Sequence, residues 1–545
     1  MQSQFWIPIE EEPFFSVSSL QHVVRRARET LYIIQRPSSN GSIELGIGFG
    51  GQVFWGNQIG LDTTDQKQRY PLIAILPPIY PEWLGDRHFC EEMSLRFPYI
   101  SGAMANGIAT TSLVRAMAEH GCMGFFGAAG LSLNRVDTAI TELHRTLDIH
   151  TQPWGSNLIH SPNEPELEQS IAELYVNRNV RYVSAAAYMK LTLPVVFYAL
   201  SGLSTDHQGK IQRKNRLFAK ISRPEVARHF MSPAPDAMIQ ALLQKGLITP
   251  REAQIARHVP VADCFTIESD SGGHTDNQTL TALFPTIQNI RNDMMQKYHY
   301  KSPIYLGAAG GIGTPQAAAA AFSLGAAYIV TGSINQACME SGMHEEGRKM
   351  LTQAGLADVI MAPAADMFEL GVEVQVLRRG TMFGTRAKKL YDIYKNFDSL
   401  QNIPHGEQQI LETSFFKEPL QDAWNKTENY WKQRDIREVE RATRDEKHKM
   451  ALLFRSYLGQ SSKWAIQGVP ERRLDYQIWC GPAMGACNDW LRGSFLEDYQ
   501  QRSAPQVGLN ILEGAMCMQR AQQLRTFGLP IPESAFRFVP RDLSI

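Results

Sequence analysis

No apolar run in this sequence is long enough to cross a bilayer, and the opening Met1-Gln-Ser-Gln-Phe-Trp-Ile-Pro has no basic stretch leading into an apolar core. Neither a membrane span nor a secretory leader is expected, and the chain reads as cytoplasmic. Cysteine is scarce. Cys90, Cys122, Cys264, Cys338, Cys480, Cys487 and Cys517 are scattered and odd in number, with no CxxC and no histidine spacing of a metal site. A disulfide framework and a structural metal are therefore not expected, and a reducing compartment is. Charge of one sign is also missing: a formal net charge of −1 with 20% charged residues argues against a general nucleic-acid binder.

What is present suits a large globular chain, since 545 residues with 43% hydrophobic side chains can build two or three domains around a sizeable core. Residues 1–95 are rich in aromatics, proline and glycine, with alternating segments such as Glu44–Gly48 and Gln52–Trp55, and read as a small β-rich region. Within it, Gly46-Ile-Gly-Phe-Gly-Gly51 matches GxGxxG, the dinucleotide fingerprint. That fingerprint needs a helix to open within the glycine turn, so that backbone amides meet the pyrophosphate. Here Gln-Val-Phe-Trp follows, which is strand-like, so the motif reads as a glycine-rich β turn. A nicotinamide-only dehydrogenase would rest on this motif alone.

From residue 96 the texture changes to short apolar runs alternating with helix-compatible stretches, the pattern of βα units. Candidate strands start at Pro98, Cys122, Trp154, Val180, Arg216, Cys264, Ile304 and Ala327, and eight in succession predict a (β/α)8 TIM barrel over 96–335. Residues 336–470 read as a helical cap or insertion, its charged run Asp422–Met450 being a solvated face, and 471–545 as a C-terminal helical segment packing on the barrel.

Such barrels carry their chemistry at the C-terminal ends of the strands. There the sequence places Gly102-Ala-Met-Ala-Asn-Gly107, Gly127-Ala-Ala-Gly130, Asn157, Glu268-Ser-Asp-Ser-Gly-Gly-His-Thr-Asp-Asn277, Ala308-Ala-Gly-Gly-Ile-Gly313 and Thr331-Gly-Ser333. Glycine-rich loops after the seventh and eighth strands are where these barrels hold a phosphate: Gly310, Gly311 and Gly313 admit close backbone approach, and Gly332 with Ser333 adds an amide and a hydroxyl.

The run "AAGGIG", followed by "VTGS" and preceded by "SGGH", resembles the flavin mononucleotide (FMN) barrels of the nitronate monooxygenase and FabK-type enoyl reductase superfamily over residues 96 to 390. More narrowly, "GAMANGIA", "PWGSNLIHSP", "ESDSGGHTDN" and "WCGPAMGACNDW" are similar to the PfaD family, the trans-acting enoyl reductases of polyunsaturated fatty acid and polyketide synthases. The resemblance implies FMN as prosthetic group, NADPH as electron donor and a 2-enoyl thioester on an acyl carrier protein as substrate. It places the phosphate on Gly310, Gly311, Gly332 and Ser333, the ring and ribityl chain against Gly102, Ala103, Met104 and Asn157, and the flavin ring close to Gly272 and Gly273. Glu268 and Ser271 fall in the same loop as cofactor contacts. Glu268 stands one residue closer to the histidine than in the enoyl reductase pattern, which leaves Glu268 and Asp270 as alternatives for that contact.

Enoyl reduction needs hydride at the β-carbon and a proton at the α-carbon, or a donor to the thioester oxygen as enolate charge develops. His274 is the candidate catalytic residue for either task, histidine being the side chain that ordinarily titrates near neutrality. Ser269, Ser271, Thr275 and Asp276 read as groups that orient its loop. Carrier proteins are acidic, so Lys210–Arg216 and Arg378-Arg379 are candidate docking strips near the entrance. The resemblance is compatible with a homodimer. Two further readings use the same barrel: a nitronate oxidase with His274 as base, and a non-catalytic docking subunit of a synthase. "WCGPAMGACNDW" shows no catalytic grouping and serves as a family marker only.

Overall fold

The computed structural model describes residues 4–38, 41–55, 68–162 and 164–543. Strands β1 (Gln4–Ile7), β2 (Leu31–Pro37), β3 (Ile43–Phe49), β4 (Gln52–Trp55) and β5 (Tyr70–Leu76) form an antiparallel sheet in the order β3-β2-β5-β1-β4. The GxGxxG motif spans the end of β3 and the link to β4. Its glycines answer to aromatic neighbours: a Cβ on Gly46 would lie 2.5 Å from the Phe15 ring, and one on Gly48 2.6 Å from Trp6. This is sheet packing, and no helix opens there.

The barrel follows. Strands β6 (Tyr99–Ser101), β7 (Met123–Phe126), β8 (Trp154–Ile159) and β9 (Tyr182–Ala186) are joined by helical connections. A short hairpin, β10 (Ser204–Thr205) and β11 (Ile211–Gln212), precedes β12 (Arg216–Ile221) and β13 (Cys264–Glu268). After β14 (Gly273–His274), β15 (Tyr305–Ala309) and β16 (Tyr328–Thr331) complete a closed ring in the order β12-β13-β15-β16-β6-β7-β8-β9. Every ring pairing is parallel. The strands are buried on both faces, as a parallel sheet flanked by helices requires.

The N-terminal end of the ring is plugged. Asp86 accepts the amides of His88 and Phe89 and so caps the helix Arg87–Met93. That helix sends Phe89 into the barrel, where it stacks on Tyr328 at 4.5 Å between ring centroids. Phe125, Tyr182, Phe218 and Tyr305 fill the rest of that layer. Among the described residues the filled N-terminal end leaves the C-terminal end for a site.

Beyond the barrel, β17 (Val359–Pro363) and β18 (Glu373–Leu377) form a hairpin to which β14 adds antiparallel, Gly273 opposite Gln375 and His274 opposite Val374. Helices between Phe383 and Gln467 share a separate apolar core around Leu390, Phe415, Leu453 and Tyr457. The buried helix Ala504–Thr526 lies along Pro315–Ser323, where a Cβ on Gly514 would stand 2.7 Å from Pro315. Among the described residues no helix is long and apolar enough to cross a membrane.

Candidate active site

The loops at the C-terminal end gather into two clusters. The first joins strands β6 to β8. Gly102 donates its amide to the Thr331 carbonyl at 2.9 Å, and the turn over Ala103 and Met104 brings the Met104 carbonyl to within 1.8 Å of where a Cβ on Gly127 would stand. Asn157 is buried on β8, and its Oδ1 accepts the amides of Ala128 and Ala129 at 2.8 and 3.3 Å. Its amide oxygen therefore holds the loop after β7.

The second cluster is built around the loop after β13. Ser269 donates both its amide and its hydroxyl to the Ala309 carbonyl at 2.9 Å, tying the sixth strand's loop to the seventh's. Glu268 accepts Lys220 at 2.9 Å and the Ser271 hydroxyl at 3.1 Å, so the carboxylate is paired within the protein. Thr275 accepts the amides of Ser271 and Asn277. Asp276 accepts the Ser222 hydroxyl and a two-pronged contact from Arg223. The Arg223 bond holds the Asp276 carboxyl below its ordinary range, against the opposing effect of burial. Asp270 accepts the Gln375 amide at 2.7 Å, while burial raises its carboxyl above the ordinary value.

His274 lies at the end of β14, its side chain roughly 44% exposed, with Nε2 3.2 Å from an Asp366 carboxylate oxygen. A carboxylate only accepts, so Nε2 donates. The loop between β17 and β18 thus supplies a partner that lies 92 residues away in sequence.

The segment that looked like a mere family marker is a wall of this site. A Cβ on Gly272 would meet Cys480 N and Ser333 Oγ, both at 2.8 Å, and a Cβ on Gly481 would stand 2.8 Å from Gly272 N. The two loops run backbone against backbone. The Gly481 amide donates to Ser333 Oγ at 3.2 Å, and a Cβ on Gly313 would lie 2.3 Å from the Ala483 carbonyl. Burial against this wall pushes the Cys480 thiol up to about 12. The signal available from sequence was the pair of glycines Gly481 and Gly485, each needing a close partner.

The phosphate-loop residues differ among themselves. Gly310 has φ +81° and is closed over by Ser269, its Cβ position 2.6 Å from that carbonyl. Over Gly311 and Gly332 nothing stands within 4 Å. Among the described residues, the amides of Gly311, Gly332 and Ser333 donate no hydrogen bond. Unpaired amides beside open glycines form a cradle suited to an anion.

One predicted surface is misplaced. Arg216 opens β12 and pairs with Asp263 and, at 3.0 Å, with Glu92 of the plugging helix, while Arg213 is buried against the Pro260 and Val261 carbonyls. The strip Lys210–Arg216 therefore leads into the N-terminal end of the barrel, opposite the mouth. The spacing of basic residues along a chain does not say which end of a strand they occupy. Arg378 and Arg379 follow β18 and both pair with Asp358.

The nitronate monooxygenase family model matches residues 88–388, which carry the whole ring of strands. The chain belongs to this family. The model of the inserted helical domain of [acyl-carrier-protein] S-malonyltransferase matches residues 397–476. A polyunsaturated fatty acid synthase subunit of Thraustochytrium sp. is 41% identical over 493 residues, 88% of this chain and 33% of that protein. Polyketide biosynthesis protein PksE of Bacillus subtilis is 41% identical over 446 residues, 82% of this chain and 58% of its own length. The chain thus spans between a third and somewhat over half of these relatives. The crystal structure of the enoyl reductase domain of MlnA, from the macrolactin cluster of Bacillus amyloliquefaciens, superposes with a TM-score of 0.78 at 35% identity, covering 82% of this chain and 99% of that domain. Within the nitronate monooxygenase superfamily the chain is PfaD-like.

Proposed function

We propose that the protein is an FMN-dependent enoyl reductase that uses NADPH to reduce the 2,3 double bond of an enoyl thioester carried on an acyl carrier protein. The observation that carries the reading is the anion cradle of Gly311, Gly332 and Ser333, open above its glycines and supplied with unpaired amides. The likeness to an enoyl reductase domain over that domain's full length supports it. So does descent shared with a polyunsaturated fatty acid synthase subunit and a polyketide biosynthesis protein, which also makes a carrier protein the natural partner.

In this reading the cradle holds the FMN phosphate, and Gly102, Ala103, Met104, Gly272 and Gly273 bring backbone close to the ring. A flavin held there would supply the hydride chemistry, from NADPH to the β-carbon. The chain's own residues do the rest. Asp366 holds the His274 imidazole, which in this reading supplies the proton for the α-carbon. Ser269, Thr275 and Asp276 fix the loop that carries it, and Asn157 fixes the loop opposite.

Nitronate oxidation, the activity named by the family model, is the second reading, and it would use His274 as base with oxygen as oxidant. Anaerobic visible absorbance separates the two. The protein is reduced with NADPH and mixed with a short 2-enoyl thioester. Return of the oxidised flavin band supports enoyl reduction, return with oxygen alone supports the oxidase, and no band after FMN is supplied refutes the cradle.

A further inference from the structure

A second imidazole stands at the same end of the barrel, and neither the sequence motifs nor the relatives assign it a task. His160 is the first residue after β8, three positions beyond Asn157. Its Nδ1 lies 3.0 Å from Glu168, whose side chain keeps only 3% of its surface. Glu168 sits in the first turn of the helix Pro165–Asn177, where the helix dipole favours negative charge. It also accepts the Ser161 amide at 3.1 Å and the hydroxyls of Tyr188 (3.1 Å) and Thr192. With donors crowding both oxygens, the carboxylate can only accept from His160, which holds a proton on Nδ1 and leaves Nε2 outward, where a second proton makes the ring a donor on both sides.

The ring is clamped from a second side. Tyr188 stacks on it at 5.3 Å between centroids and 26° between planes. Tyr188 is brought there by Ala187, a non-glycine residue at φ +64° directly after β9, a strained conformation of the kind that persists where surrounding structure enforces it. Burial, with the Glu168 charge beside it, pushes the Tyr188 phenol far above its ordinary value, so it remains a donor. Among the described residues Nε2 has no hydrogen-bond partner, although the side chain is only 18% exposed. From above, the loop is pinned to the helical insertion by Arg434, which grips Glu164 with two bonds at 2.7 and 2.5 Å. A buried carboxylate, a stacked tyrosine and a strained turn thus aim one imidazole whose outer nitrogen is left without a polar partner.

Resting on the enoyl reductase reading, we propose that His160 binds the thioester carbonyl oxygen of the substrate through Nε2–H, with Glu168 as its positioning residue. Hydride from the reduced flavin forms the new C–H bond at the β-carbon, and the π electrons of the double bond move toward the carbonyl. The charge arriving on that oxygen is met by the outer N–H at Nε2, while the inner N–H at Nδ1 stays on the Glu168 carboxylate. A proton from His274 forms the second C–H bond at the α-carbon and restores the carbonyl, so the thioester gains two electrons and two hydrogens. Two imidazoles then divide the work that one would otherwise perform.

Asparagine and glutamine separate aiming from binding. In H160N the amide nitrogen falls near the place of Nδ1 and keeps the Glu168 bond while losing the Nε2 donor. In H160Q it falls near Nε2. Stopped-flow absorbance of the FMN-loaded full chain, reduced with NADPH and mixed with crotonyl thioester, reads the step directly. H160N is expected to keep its melting temperature and flavin content and to reoxidise about 100-fold more slowly, the scale of losing one oxyanion donor. H160Q is expected to fall less, by about tenfold. Reoxidation of H160N within twofold of wild type overturns the proposal, and so does an H160Q slower than H160N, which also decides the matter if H160N proves unstable. A wild-type protein that crotonyl thioester does not reoxidise removes the enoyl reductase reading itself.

Discussion

Replacing Gly481 by alanine tests the wall of the site in one step. The new methyl carbon would stand 2.8 Å from Gly272 N and 3.0 and 3.2 Å from the carbonyl and α-carbons of Ser271. All three contacts are backbone, so no rotamer change relieves them. Reaching ordinary contact at 3.4 Å requires the two loops to part by about 0.6 Å. Overpacking of this kind costs about 1–3 kcal/mol. The parting also lengthens the bond from the Gly481 amide to Ser333 Oγ, already 3.2 Å, which contributes about 1 kcal/mol. Because Gly272 carries Gly273 and His274 behind it, the displacement passes to the imidazole, and a shift approaching 1 Å costs on the order of 100-fold in turnover. We therefore expect G481A to lower unfolding free energy in urea by about 2–4 kcal/mol and turnover by tenfold or more. G272A pushes the same interface apart from the other side, so the double variant should lose less than the sum. A G481A protein with unchanged urea midpoint and unchanged turnover would refute the backbone-to-backbone contact.

Gly332→Ala should behave oppositely: with nothing within 4 Å of the new methyl, stability stays within about 0.5 kcal/mol while FMN affinity falls steeply, as equilibrium dialysis of the apoprotein would show. All seven cysteines are buried, and burial pushes Cys90, Cys480 and Cys517 up to about 12, so the native protein should react with Ellman's reagent far more slowly than the unfolded chain, which releases seven equivalents. Asp276→Asn should release the loop from Ser222 and Arg223 and lower turnover at neutral pH. Because the wild-type carboxyl is held below its ordinary value of 3.8, its anchoring is fully present above that value and fades as pH falls through the lowered one. The stability gap between wild type and D276N, followed by urea unfolding from pH 6 to pH 3, should therefore close at the acid end, and a gap that widens there contradicts the assignment.

Much of the architecture is legible in the amino-acid pattern, for a local reason. Eight short apolar runs alternating with helical stretches leave a parallel sheet little choice but to close, and each candidate strand is found in the ring. The rejection of GIGFGG as a dinucleotide turn was local too, since the residues after it have strand character. Loops were harder. Glycines were recognisable as places of close approach, but the approaching partner was not: Gly311 and Gly332 face open space, while Gly310 and Gly313 face protein.

By itself, then, the sequence determined the barrel and the glycine-rich loops at the C-terminal ends of its strands, because each is written in periodicities and turn residues spanning a few positions. The tertiary structure alone decided which distant groups complete them. Trp479–Gly481 comes to lie against Gly272 and Ser333, Asp366 against His274, and Glu168 and Tyr188 around His160. It also sent Lys210–Arg216 to the closed end of the barrel. Contacts between residues tens to hundreds of positions apart leave no period in the chain, and they are fixed only when the packed backbone brings the two surfaces together.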